Sequence, residues 1–102
     1  MPSSTYAQIP TLVTFLGRLK PTSILDVGLG NGKLGFIARD FLDVMQGERY
    51  RQEDWQLKLD GIEAFGEYIQ DHQKAIYDPI HIGDAFDVID RLEHYDVILV
   101  GE

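Results

Sequence analysis

Ile24-Leu25-Asp26-Val27-Gly28-Leu29-Gly30-Asn31-Gly32 is the stretch whose reading decides the fold of this chain. An apolar strand runs into an acidic residue and then into three glycines at alternate positions. Glycine repeated in this way costs backbone entropy, so it is kept where the main chain takes positive φ or lets a ligand come close. Downstream, Phe36, Ile37, Phe41 and Leu42 recur at a helical spacing. The loop therefore opens a helix whose free N–H groups point at whatever the loop holds.

Two nucleotide loops fail or weaken against these residues. The phosphate-cradling loop needs glycine five positions before Gly32 and a hydroxyl after Lys33, where this chain has Val27 and Leu34. The dinucleotide fingerprint needs a third glycine at position 33 for close helix–strand packing, and Lys33 stands there. The stretch from Gly28 to Glu63 is also longer than the roughly 20 positions of that fingerprint, mostly through the charged connection 45–56.

Working outward, Tyr6, Ile9, Leu12, Val13, Leu16 and Leu19 share one helical face, which predicts an amphipathic helix over about 6–19 with Pro10 in its first turn. Lys20-Pro21 ends it. The pattern then predicts a strand at 24–27, a helix at about 33–44, a surface connection at 45–56 and a strand at 57–63 that carries Glu63 at its carboxyl end. A helix over 66–76, a strand over 79–82, a helix over 86–92 and an apolar strand over 95–100 follow. This alternation predicts an α/β domain with a parallel sheet and right-handed crossovers. Val97, Ile98, Leu99 and Val100 have the composition of a strand covered on both faces.

In such sheets a ligand sits beyond the carboxyl ends of the strands. Three candidates meet there: the glycine loop, Glu63, and Asp84 in the turn after the third strand. A carboxylate at the end of the second strand can accept two hydrogen bonds from ribose hydroxyls. Plainer roles stand beside these: Asp84 as a helix cap, Glu63 as a solvated strand-end charge, and Tyr50, Trp55, Tyr68 and Tyr77 as edges of the core. His72, His81 and His94 lack metal-ligand spacing and read as surface or packing residues.

The chain has 102 residues, a net charge of -8, 44% hydrophobic and 25% charged residues, and no cysteine. That is the composition and length of one globular domain. The acidity disfavours nonspecific association with nucleic acid or anionic lipid. No apolar run reaches the roughly 18 residues of a membrane span. Residues 1–8 carry no positive side chain of the kind a signal peptide has, and a cytoplasmic location is expected.

With Asp26 two residues before Gly28-Leu29-Gly30-Asn31-Gly32, Glu63 ending the second strand and Asp84 following the third, the sequence resembles the Rossmann-like, class I S-adenosylmethionine-dependent methyltransferases. The resemblance runs from the first helix to Glu102. It implies a Rossmann-like sheet of order 3-2-1-4 with flanking helices, and one partial cofactor-binding domain over 1–102 with the carboxyl-terminal half of the fold missing. It implies that Asp26 and Gly28 to Gly32 face the amino acid part of S-adenosylmethionine or S-adenosylhomocysteine, and that Glu63 holds the ribose. Ala64 and Phe65 flank the adenine, Asp84 accepts from its amino group, and the Ala85 N–H reaches the ring. Gly101 and Glu102 fall where the family begins its substrate-facing loop, which makes Glu102 a substrate-side candidate. The methyl acceptor and any catalytic base are not readable. Two rivals remain at this stage: a non-catalytic binding module and an NAD-dependent oxidoreductase domain. A further expectation is self-association through the apolar edge 97–100.

Overall fold

The computed structural model describes residues 8–92 and 94–100. Four parallel strands form one sheet: β1 (Ser23–Val27), β2 (Lys58–Glu63), β3 (Ile80–Ile82) and β4 (Val97–Val100), in the order β3-β2-β1-β4. The expected order 3-2-1-4 is the one observed. In register, Asp26 lies between Gly61 on β2 and Leu99 on β4.

Helices α1 (Ile9–Leu19), α2 (Lys33–Arg39) and α3 (Asp71–Ile76) pack on one face. Leu16, Ile24, Ala38 and Leu59 are fully buried between them and the sheet. Pro10 sits in the first turn of α1, where a missing N–H costs nothing, and Lys20 ends the helix in a left-handed conformation at φ 47°. Helix α4 (Ala85–Ile89) covers the opposite face through Val88, against Leu25 and Ile62. Strand alternation explains the split, since neighbouring residues point to opposite faces: Ile24 joins the first core and Leu25 the second.

Three helix boundaries and the covering of one strand depart from the sequence reading. The helix expected over 33–44 is α-helical to Arg39 and continues as a π-helical stretch, Asp40–Gln46. The helix expected over 66–76 is a 3₁₀ turn, Gly66–Tyr68, followed by the separate α3, because Gln70 takes an extended conformation and starts a new helix with a capping box to Gln73. The last helix stops at Ile89 rather than 92. Strand β4 is not covered on both faces among the described residues: Val97 is buried, while Ile98 is 49% and Val100 77% exposed. Tyr6 lies outside the described residues.

The connection 45–56 is anchored from below. Asp43, fully buried, accepts from Arg39 Nη1 at 2.9 Å, Arg49 Nε at 3.0 Å, Gln56 N at 3.0 Å and Leu57 N at 3.3 Å. Arg39, buried as well, also donates to the carbonyls of Leu57 at 2.6 Å and Ile76 at 2.7 Å, and lies 4.9 Å from the Trp55 ring centroid. These bonds pin the entrance to β2 at the amino end of the sheet.

Candidate functional site

The glycine loop is built at the carboxyl end of β1. Gly28 N and Leu29 N both donate to Ile62 O, at 2.9 and 3.3 Å, so the turn is fastened to the end of β2. The side chain of Leu29 folds back over Gly61, where a Cβ would come within 2.4 Å of Leu29 Cδ2. Gly28 and Gly30 have φ of 69° and 59°, in the left-handed region that disfavours a side chain. Phe36 N donates to Gly32 O at 2.8 Å, and α2 begins there. The alternating glycines thus meet a real backbone demand.

Two carboxylates lie beneath this loop, both buried. Glu63 is 4% exposed; its Oε1 accepts from Gly30 N at 3.3 Å and its Oε2 from Phe65 N at 3.2 Å. It is therefore no solvated strand-end charge. Asp26 is 1% exposed. Its Oδ2 accepts from the Tyr77 hydroxyl at 2.5 Å, and its Oδ1 has no hydrogen-bond partner among the described residues. Burial pushes the Asp26 carboxyl up to about 6, the Tyr77 bond opposes this, and the nearby charge of Glu63 adds to it. Tyr77 in turn is raised above an ordinary phenol by burial and by the charge of Asp26.

The remaining candidates stand around the rim. Ala64 and Phe65 are exposed just after β2, and Phe65 meets Tyr68 edge-on with ring centroids 5.8 Å apart. Gly83 N donates to Glu63 O at 2.9 Å, which ties the turn after β3 to the end of β2. Asp84 caps α4, its Oδ1 accepting from Phe86 N at 2.8 Å, and Ala85 is the first helical residue. The capping role is thus real. Asn31 is exposed at the crest of the loop. Gly101 and Glu102 lie outside the described residues.

Sequence reasoning missed Gln73 and Gly35 and favoured a core edge for Tyr77 over stacking on a substrate. Gln73 is buried, and its Nε2 donates to Gly30 O at 2.7 Å and to Tyr68 O at 3.1 Å. Gly35 lets Tyr77 cross α2: a Cβ there would fall 2.1 Å from the hydroxyl. The Gln70-x-x-Gln73 spacing was a usable sign of a helix start. No spacing in the chain pairs Tyr77 with Asp26. Among the described residues no group of three or more His, Asp or Glu could hold a metal.

The arrangement combines a strand-to-helix glycine turn with buried carboxylates at neighbouring strand ends, the place where open α/β sheets take nucleoside-containing ligands. No protein-family model matches the chain. No curated protein sequence matches it either. Solved structures do. CmcI-N160 with SAH is similar over 95% of this chain and 47% of that one, with a TM-score of 0.66 and 17% identity. The apo structure of CmcI-N160 gives a TM-score of 0.65 at 20% identity, over 93% and 40%. The plantazolicin methyltransferase BpumL in complex with SAH gives 0.55 at 23%, over 90% and 32%. The chain therefore has a Rossmann-like fold of the kind these proteins carry, and it spans less than half the length of each.

Proposed function

We propose that this chain is a cofactor-binding domain of a class I methyltransferase and that it binds S-adenosylmethionine and S-adenosylhomocysteine at the glycine loop. The observation that carries the reading is the buried Oδ1 of Asp26, a carboxylate oxygen without a donor among the described residues, beside a loop of left-handed glycines. A buried acceptor without a donor costs on the order of 1–3 kcal/mol, and the ammonium of the ligand's amino acid part is a donor of matching charge. The SAH-containing solved structures support the same ligand. When bound, S-adenosylmethionine supplies a sulfonium methyl that passes to a nucleophile of the acceptor while the carbon–sulfur bond breaks and its electron pair stays on sulfur.

The residues of this chain would bind and align. Asp26 and Gly28 to Gly32, with Leu29 and Asn31 between the glycines, would hold the amino acid part. Glu63 would take the ribose hydroxyls, exchanging its present bond to Gly30 N or Phe65 N. Ala64, Phe65, Asp84 and Ala85 would frame the adenine, with Phe65 already exposed beside Tyr68. Proximity and alignment are the main contributions a protein makes to such a displacement. Glu102 remains the substrate-side candidate of this reading.

Two further parts belong to the proposal. The chain works in the cytoplasm; no helix among the described residues is long and apolar enough to cross a membrane. It also self-associates through β4, whose edge is open among the described residues and whose Ile98 and Val100 are exposed. Sedimentation at several concentrations checks this, with Ile98→Lys expected to reduce association.

Calorimetric titration with S-adenosylmethionine, S-adenosylhomocysteine and NAD tests the ligand. Heat with the first two and none with NAD is expected; heat with NAD only overturns the reading. Glu63→Ala is expected to weaken binding by about 1.5–3 kcal/mol per charge-assisted bond. A 2'-deoxy analogue should then lose little more; equal discrimination by wild type and variant would remove Glu63 from the ribose.

A further inference from the structure

One segment reaches the glycine loop from the side with three polar side chains. His72 Nε2 lies 3.1 Å from Asn31 Oδ1 and 3.2 Å from Asn31 O. Gln73 Nε2 donates to Gly30 O, and Tyr77 donates to Asp26 Oδ2. Helix α3 and the residue that ends it thus contact the loop and its acidic residue at three points.

These contacts differ in kind. Gln73 is held from both ends of its amide: its Oε1 accepts from Gln70 N at 2.6 Å while its Nε2 serves Gly30 and Tyr68. It fastens the loop, and both of its N–H donors are spent in doing so. Tyr77 gives its one hydroxyl proton to one oxygen of Asp26, and the other oxygen has no partner among the described residues. A phenylalanine would fill nearly the same space in the core. The hydroxyl therefore adds orientation, turning the carboxylate about its last bond and assigning one oxygen to the protein.

Building on the ligand reading above, the geometry points to Tyr77 as a positioning residue: its hydroxyl holds Asp26 so that Oδ1 is presented to the cationic amino acid end of the ligand. The groups facing Asp26 agree with this. Glu63 on β2 is a second carboxylate close enough to repel its charge. The neighbours in register, Gly61 on β2 and Leu99 on β4, carry no charge. Arg39 on α2 acts on Tyr77, and its donors are spent on Asp43, Asp78 and the Leu57 and Ile76 carbonyls. A cation arriving at Oδ1 therefore meets the negative charge of two carboxylates, Asp26 and Glu63.

The sign of the pH effect follows. Asp26 must be ionised to hold an ammonium, so affinity falls as the medium is acidified through its titration near 6. The Tyr77 bond favours the ionised form. Without it Asp26 keeps its proton to higher pH, and the acid limb of binding moves upward.

The test is calorimetric titration of S-adenosylhomocysteine into wild type and Tyr77→Phe between about pH 5 and 8, with methylthioadenosine, which lacks the amino acid end, as the control ligand. For S-adenosylhomocysteine we expect the acid midpoint to rise by about one pH unit and affinity near pH 6 to fall about fivefold. Methylthioadenosine should change less than about twofold, because it places no charge at Asp26. Equal losses for both ligands with an unmoved midpoint would mean that the hydroxyl merely supports the fold, and would overturn the assignment. Failure of both ligands to bind wild type would instead defeat the ligand reading itself. If Tyr77→Phe does not fold, Asp26→Asn decides: an amide still accepts from Tyr77, so S-adenosylhomocysteine should bind weakly at every pH with no acid limb. A retained acid limb in that variant overturns the proposal.

Discussion

Two buried aspartates stand at opposite ends of the same sheet, and they are treated in opposite ways. Asp43, at the amino end, is surrounded by donors from Arg39, Arg49, Gln56 and Leu57. Burial alone would raise its pKa, but the Gln56 N–H, the two guanidinium groups and the Leu57 N–H outweigh it and hold the carboxyl below the usual range. Asp26, at the carboxyl end, has among the described residues one donor and one oxygen without a partner, and burial wins. Both are inaccessible to solvent, and they differ in the count of donors. A carboxylate that is fully satisfied organises the fold. One left short of donors beneath a glycine loop is available to a ligand.

The largest expected effect breaks the satisfied end. Asp43→Ala leaves the buried Arg39 charge with one partner fewer, and a broken buried pair typically costs about 3–5 kcal/mol. Chemical denaturation should show that loss, with the connection 45–56 becoming susceptible to proteolysis. A change under about 1 kcal/mol would mean that the carbonyls of Leu57 and Ile76 suffice for Arg39.

At the other end, the same kind of substitution should act in the opposite direction. The folded state holds the Asp26 proton up to about 6 against an ordinary value of 3.8. Stability from this group is therefore present at low pH and falls as pH rises through that window, by roughly 3 kcal/mol in total. Asp26→Asn removes the dependence, so the variant should melt higher than wild type at pH 7 and about level with it near pH 4. Asp43 has the reverse sign: its contribution is present above the ordinary carboxylate range and is lost as pH falls through its lowered folded value. Comparing thermal melts of the Asp26 and Asp43 variants across pH separates the two; parallel curves would erase the distinction drawn between them.

A smaller effect sharpens the packing beneath Asp26. Gly35→Ala places a methyl where the Tyr77 hydroxyl now passes. Overpacking of this kind costs about 1–3 kcal/mol. It should also displace Tyr77 from Asp26, visible as a shift in tyrosine absorbance. An unchanged melt and spectrum would show that Tyr77 reaches Asp26 by another path.

The smallest expected effect lies at the rim. Asp84→Ala removes the side-chain cap of α4, and loss of such a cap costs about 0.5–2 kcal/mol. Asp84→Asn keeps an acceptor for Phe86 N and should restore stability. A binding defect that persists in Asp84→Asn would mark a ligand contact beyond the cap.

Much of the sheet was legible before the structure. Asp26 followed by alternating glycines, the alternation before Glu63, and the apolar run 97–100 mark β1, β2 and β4 through local periodicity. Glycine at positions 28, 30 and 32 announces positive φ, a local demand of the backbone, and all three have it. The break in the segment 66–76 was hidden because Tyr68, Ile69 and Ile76 keep a helical spacing across a residue, Gln70, that is extended. Likewise the connection 45–56 reads as a surface loop with room for a helical turn, which the 3₁₀ turn Gln52–Asp54 supplies, but its anchor is hidden, since Asp43 is indistinguishable in sequence from an exposed helical aspartate.

Sequence by itself therefore determined the order of elements, the glycine turn and the carboxylates at the strand ends, because each depends on residues within one or two turns of chain. Tertiary structure decided which carboxylates are satisfied. Tyr77 and Asp26, Gln73 and Gly30, and Arg39 and Ile76 meet across 51, 43 and 37 positions. Such pairings arise only when helices pack on a sheet, and hydrogen bonds formed in that packing set the charge state of a buried group.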